Sequence, residues 1–444
     1  MATLARRASE LAGYCSISIG MALSCTGYAM LGELRAQAPA TTLVAGIVIA
    51  GALCILLSLG IAELASMFPS APGVRTYLKA AFGDRGSLVV TFMVLLMVVL
   101  FAGVESYYCA VVIHRLAPGL PPPLIATANL AAVVALNLGG VELPRRAHVV
   151  LIAALLALIV AVSIAGLDGA AAPAPAPGGA LELPAIVGGA VFVYTGFEWV
   201  TPLGRSPAAY RRLVPWSMPL ALAILAAVFA LLAAAVGRAP GGSAMAPHVA
   251  LGQAAFPRGG VAAMAALSFF SMFSAFNAGL MGSARLVYAL ARERRFPRWG
   301  ATVSVRRGTP VGAILAVASL SWLSSMAVLS LPIQRAISLV CAGVYCFLYA
   351  AFVVAQLRLR RTQPDRPRPF RAPVPAAVQV LLAVAMAGLG VAVLLSEPSL
   401  RGAIVASVLA MAALSLGAAV RLTPPRAAPR APIAVPNLTG DARP

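Results

Sequence analysis

The chain has 444 residues, 61% of them hydrophobic and 10% charged, with a mean hydropathy of +0.93. So little charge at this length excludes a water-soluble globular protein and indicates a polytopic membrane protein. The net charge of +20 is not a nucleic-acid footprint, because the basic residues fall between apolar runs and not on one contiguous face.

Twelve apolar runs are long enough to cross a bilayer. The first, Leu11–Leu34, follows Arg6 and Arg7, which fits a retained first span. The second is Leu43–Phe68, the third Leu88–His114, the fourth Pro123–Gly139 and the fifth Ala147–Leu167. A loop rich in Ala, Pro and Gly, Asp168–Leu183, has no periodicity and reads as extended and solvated. The sixth span begins near Pro184 and ends near Gly204; the seventh is Val214–Val236, and a Gly/Pro-rich connection runs to about Arg258. The eighth runs from Val261 to about Arg292, the ninth is Val311–Leu331 and the tenth Ala336–Leu357. The eleventh is Pro375–Leu395 and the twelfth Gly402–Ala419. The tail, 421–444, is Ala/Pro/Arg-rich and reads as disordered and cytoplasmic, and residues 1–10 read as a cytoplasmic N-terminus.

Loop charge orients this topology. With the N-terminus in the cytoplasm, 27 of the 33 Lys and Arg residues fall inside and 6 outside. Shifting the count by one span would erase most of that asymmetry, so a multi-pass protein of the cytoplasmic (inner) membrane with both termini inside is expected.

Two spans carry residues that do not suit an unbroken helix in lipid. The first contains Ser24-Cys25-Thr26-Gly27 at mid-depth; the sixth contains Tyr194-Thr195-Gly196-Phe197-Glu198, with Pro202 following. A glutamate at that depth costs about 2.5–3.5 kcal/mol on insertion scales. Freed backbone groups are tolerated only where they face protein or a cavity. The breaks lie five spans apart, and an odd number of spans per half makes the halves antiparallel, which is the mark of an inverted repeat with the substrate at the repeat interface. On this reading the halves are 11–167 and 184–357, with residues 375–419 forming two additional spans. Exposed amides at the first break suit a carboxylate. Exposed carbonyls at the second suit an ammonium group, so together they suit an amino acid or related amine. Small residues in membrane helices also serve close packing, and the correspondence of the two breaks is what favours the binding reading.

Three carboxylates lie at or near membrane depth. Glu63, near the end of the second span, fits a structural ion pair or cap. Glu105, among Gly103, Ser106 and Tyr107 on the third span, is protonated, paired or lining a cavity, and is a candidate for coupling to H+ or contacting substrate. Glu198 is the third. Ser271 and Ser274 on the eighth span offer hydroxyls to a cation near the first span, or pack plainly. The cysteines, Cys15, Cys25, Cys54, Cys109, Cys341 and Cys346, lie within apolar runs and show no disulfide framework or zinc spacing. The three histidines, His114, His148 and His248, sit at span ends or in loops and make no evident metal cluster. No phosphate-binding loop, paired catalytic carboxylates or nucleophile constellation is present, so neither ATP drive, nor an organic cofactor, nor an enzyme is indicated.

With these motifs in order, the sequence resembles the amino acid–polyamine–organocation superfamily, the amino acid permeases, over about Leu11 to Leu395. The resemblance rests on Thr26–Leu34 and on Ala62–Gly73 followed by Tyr77 and Ala81-Phe82-Gly83. It rests also on Gly196–Glu198, on Ser283–Glu293 with Phe296-Pro297 and Gly308-Thr309-Pro310, and on Arg368-Pro369-Phe370-Arg371. It implies an all-α membrane fold, leucine-transporter-like, of five-plus-five inverted repeats with discontinuous helices 1 and 6 and two further helices. It implies that Thr26 and Gly27 offer amides, and Thr26 a hydroxyl, to a substrate carboxylate. Carbonyls near Leu23, Phe192 and Thr195 would take the amine, with Phe192 as an aromatic lid and Glu198 in the gate beneath. The chain departs from the family at Cys25, where the first glycine of Gly-x-Gly usually stands, and in lacking a lysine on the fifth span. The expectation is a secondary active permease for amino acids or related amines, proton-coupled, with exchange, sodium coupling and, in a different class, a membrane sensor as the alternatives. Oligomeric state and the particular substrate are not encoded in these motifs.

Overall fold

The structure is a computed structural model that describes residues 2–69, 73–140, 144–169, 182–203, 212–238 and 246–423. Span one is split into α1 (Ala2–Ala22) and α2 (Cys25–Gln37), bent by 53°. Spans two to five are α3 (Ala40–Met67), α4 (Gly73–Leu116), α5 (Pro122–Gly139) and α6 (Arg145–Gly166). Span six is α7 (Glu182–Val193) followed by a turn and a 3-10 helix, Phe197–Leu203. Then come α8 (Val214–Val236), a short α9 (Pro247–Ala255) and α10 (Gly260–Arg292). The last spans are α11 (Val311–Ser330), α12 (Gln334–Thr362), α13 (Ala376–Leu395) and α14 (Arg401–Leu422). Among the described residues, eleven helices are long and apolar enough to cross a membrane, or twelve if the bent pair α1–α2 counts as one.

The expected spans are present, with differences at their ends. The third begins at Gly73, not Leu88: an initial segment carrying Arg75 and Lys79 turns into the span at Gly83. Gly83 has φ 72°, a left-handed conformation that a side chain disfavours, so a glycine stands at the corner. The Gly/Pro-rich connection after span seven contains the helix α9, which the sequence reading had as loop. The expected solvated loop lies outside the described residues from 170 to 181, and the tail does from 424.

Packing follows the fivefold offset. Span two (α3) lies along span seven (α8), and the broken spans one and six lie side by side. Around them, span three (α4) packs on spans eight, nine and ten (α10, α11 and α12), and span four (α5) packs on spans eight and nine. Each pairing of the first half thus has its counterpart five spans on, which is the five-plus-five inverted repeat. It divides the protein into a bundle of spans one, two, six and seven and a scaffold of spans three, four, eight and nine.

One end of the bundle is tied by charge. Glu63, fully buried at the end of α3, takes both Arg360 Nε at 3.0 Å and Arg360 Nη2 at 2.5 Å, with Gln356 Nε2 at 2.9 Å and the Ala372 amide at 3.0 Å. Arg368 approaches to 3.4 Å. This is the structural ion pair expected of Glu63. Nearby, Arg75 joins Asp84 at 2.9 Å and Glu293 at 2.8 Å, fastening the start of α4 to the end of α10.

Candidate functional site

Span one stops being helical at Leu23 and Ser24 and restarts at Cys25. Ser24 is extended (φ −143°, ψ 150°), and its Oγ accepts from the Gly27 amide at 3.0 Å, an N-cap for α2. Leu23 is buried, its amide still donating to Ile19. The two remaining amides of the first turn point at Glu105 of span three: Cys25 N lies 2.7 Å from Oε1 and Thr26 N 2.8 Å from Oε2. Thr26 Oγ1 donates to Oε2 at 2.6 Å, and Cys25 Sγ to the Ser268 carbonyl at 3.2 Å. The physics expected at this break is present, since a carboxylate sits where unpaired N–H groups and the helix dipole favour one. The carboxylate belongs to the chain itself. The Thr26 and Gly27 amides, expected to meet a substrate, are occupied by Glu105 and Ser24.

Span six breaks after Val193. Gly196 has φ 110°, and its amide donates to Glu198 Oε2 at 3.2 Å, which also accepts from Tyr349 Oη at 3.0 Å. Thr195 Oγ1 donates to the Val191 carbonyl at 3.3 Å, and Ser18 Oγ of span one to the Phe197 carbonyl at 3.0 Å. Tyr194 leaves the site. Its hydroxyl donates to the Ile47 carbonyl at 2.9 Å, and its ring meets Phe229, so its side chain holds span six to spans two and seven. Only its backbone belongs to the break.

Beside the break in span six lies a chamber enclosing about 580 Å³ of free space, its open mouth included; Thr195 and Gly196 line it, and Leu23–Gly27, Phe192 and Tyr194 are not among its lining residues. Met21, Phe101, Ala102, Thr195, Gly196, Trp199, Phe276 and Tyr345 are among the residues that line it. A second chamber of about 440 Å³ shares Trp199 and Tyr345 and reaches Glu198 and Phe352. Phe192 packs between Phe101 and Tyr345, two residues that line the chamber, with ring centroids 5.9 and 6.1 Å away.

The serines of span eight, expected either to offer hydroxyls to a cation near span one or to pack plainly, each meet a side-chain partner. Ser271 Oγ lies 3.2 Å from Tyr28 Oη. Ser274 Oγ lies 3.3 Å from His148 Nε2, and His148 Nδ1 lies 2.9 Å from Ser16 Oγ. His148 therefore joins spans one, five and eight. A Cβ added at Gly20 would come within 2.5 Å of Ser274 Oγ, so span one comes this close only because a glycine is there. Sequence reasoning treated His148 as a span-end residue; only its place in the first turn of an apolar span could have marked it.

Helix α9 is seated against span one and span eight by His248: its ring meets Tyr28 at 4.8 Å, tilted by 44°, and its Nε2 lies 2.9 Å from Ser268 Oγ. Burial, with a smaller contribution from Arg115, pushes the imidazole down to about 3, so it is neutral. A base held neutral when folded loses its stabilising contribution as pH falls below the ordinary histidine value. Acidification from pH 7 to 5 is expected to weaken the seating of α9 by about 2 kcal/mol. Hydrogen exchange across 247–255 checks this: exchange should rise on acidification in the wild type and not in His248→Gln.

Two discontinuous membrane helices, each with break amides held by a carboxylate, and an apolar chamber beside the second break define a polytopic membrane protein of the inverted-repeat class. A family model described as amino acid permease matches residues 10–414, and the chain belongs to that family. Relatives include an uncharacterized amino acid permease, YecA, of Bacillus subtilis, 25% identical over 58% of this chain and 63% of its own length. The uncharacterized transporter Mb2022c of Mycobacterium bovis is 27% identical over 64% of this chain and 65% of its own. The matched stretches thus span a little under two thirds of those relatives. Among solved structures, MHP1, a transporter of the nucleobase-cation-symport-1 family in a closed conformation with bromovinylhydantoin bound, superposes with a TM-score of 0.56 at 17% identity, covering 93% of this chain and 92% of that one. That likeness concerns the fold.

Proposed function

We propose that the protein is a secondary active transporter that carries amino acids or related amines across the cytoplasmic membrane by alternating access. The observation that carries this reading is the chamber beside the break in span six, lined by Met21 of the bundle's first span, by Thr195 and Gly196 of the break and by Ala102 and Phe276 of the scaffold. Rocking of the broken spans against the scaffold would expose such a chamber to either side in turn. Family membership supports a transported small solute, and the 27-to-6 distribution of basic residues supports cytoplasmic termini.

Proton coupling is the favoured drive. Glu105 joins scaffold to bundle, Glu198 caps the second break, and His148 joins spans one, five and eight, so each titratable group sits at a junction that the rocking motion would disturb. Uptake of labelled amino acids and amines into proteoliposomes, with and without an inward proton gradient, tests the reading. Gradient-stimulated uptake above protein-free vesicles is expected. Stimulation by preloaded solute alone would favour the exchanger, and absence of uptake across the panel would favour a sensor.

A further inference from the structure

The chamber has an unusual electrostatic frame for a zwitterion. Among the described residues that line the two chambers there is no Lys, Arg or His, and the acid present is Glu198. The amides that each break frees are already engaged: Cys25 and Thr26 by Glu105, Gly27 by Ser24, and Gly196 by Glu198. Glu105 follows Val98, Phe101 and Ala102 at seven, four and three residues, so it shares their face of span three, and those three line the chamber. A solute carboxylate placed here would find no cation and no free amide of either break; the donors left to it are the Ser321 and Tyr345 hydroxyls and the Trp199 indole N–H. An ammonium group would find the rings of Phe101, Trp199 and Tyr345, with Glu198 in the adjoining chamber and Glu105 on the same face of span three as the lining residues.

We propose that Glu105 stands in for the substrate's carboxylate at the first break, and that the transported solute is a primary amine with an apolar body and no carboxylate. This rests on the transporter reading and narrows its substrate class. The amine's carbon skeleton fills the apolar part of the chamber, and its ammonium group lies toward Glu105, whose oxygens retain lone pairs beyond those the amides use. Glu105 thus does for every substrate what a carboxylate on the substrate would otherwise do once per cycle.

Matched pairs test this directly: 2-phenylethylamine against phenylalanine, and isoamylamine against leucine. Binding is followed by protein fluorescence, since Trp199 lines the chamber, and uptake is measured in proteoliposomes against protein-free vesicles. Each amine is expected to bind about tenfold or more tightly than its amino acid, and to be carried in preference. Glu105→Ala, which vacates the amides of Cys25 and Thr26, should weaken amine binding and let the amino acid bind. Equal or tighter binding of the amino acids to the wild type overturns the substitution of Glu105 for the substrate carboxylate and leaves the transporter reading standing. Uptake of neither member of any pair overturns both. The wild-type comparison decides the matter even if Glu105→Ala does not fold.

Discussion

Glu63→Ala is expected to destabilise the protein by about 3–5 kcal/mol. Glu63 is wholly buried, and Arg360 meets both of its oxygens while Gln356 and the Ala372 amide complete the set. Removing the acid leaves the Arg360 and Arg368 guanidiniums without their counter-ion; their side chains are only 15% and 10% exposed. The cost comes from the stranded charge more than from the lost attraction, and that distinction is measurable. The double change Glu63→Ala with Arg360→Met should recover a large part of the loss. Thermal unfolding of the purified protein in detergent gives both values, and a double variant no better than the single one would show that the pair is not the source. The ion cluster ties span two to span ten and to the segment before α13, so the single variant should also loosen the basic end of the bundle.

Gly196→Val is expected to lower uptake by about tenfold or more while leaving some folded protein in the membrane. Two costs combine. At φ 110° any side chain strains the backbone, by about 1–3 kcal/mol. A Cβ there would also lie 3.1 Å from both Met21 Cβ and the Met21 carbonyl oxygen. The two broken spans touch at this point, so the substituent wedges them apart where the chamber is formed. Gly388→Ala is the control: it lies on span eleven, away from the chamber, and a Cβ there meets nothing within 4 Å. Initial uptake rates, normalised to protein reconstituted, should separate the two variants. Equal rates would show that the break in span six is incidental.

The parts of this protein that were legible in the sequence are those set by local pattern. Twelve apolar runs, the basic loops between them and the two polar interruptions could be placed because hydropathy and glycine act over a few residues. Gly196 is at a positive φ, as an interrupted helix requires, and Ser24 is the cap that restarts the first span. What could not be read were partners brought together by the fold. Glu105 was singled out as a costly group in lipid, yet nothing in the local sequence points from it to the amides of Cys25 and Thr26, 80 and 79 residues away. His148 lies 132 residues from Ser16 and 126 from Ser274. Tyr194 failed differently: at a break the helical register no longer says which way a side chain faces, and this one faces Ile47. Helix α9 was hidden because nine residues among glycines and prolines carry too little periodicity to show.

Transport here depends on spans one and six both coming apart midway, with a chamber beside them that admits a solute. An experimental density map of the protein in lipid nanodiscs, with a transported solute added, is the decisive measurement. Non-helical backbone is expected at Leu23–Ser24 and at Tyr194–Gly196, with Glu105 against the amides of Cys25 and Thr26 and solute density beside Phe101, Trp199 and Tyr345. Two continuous helices through those positions, with the solute bound elsewhere, would rule this arrangement out.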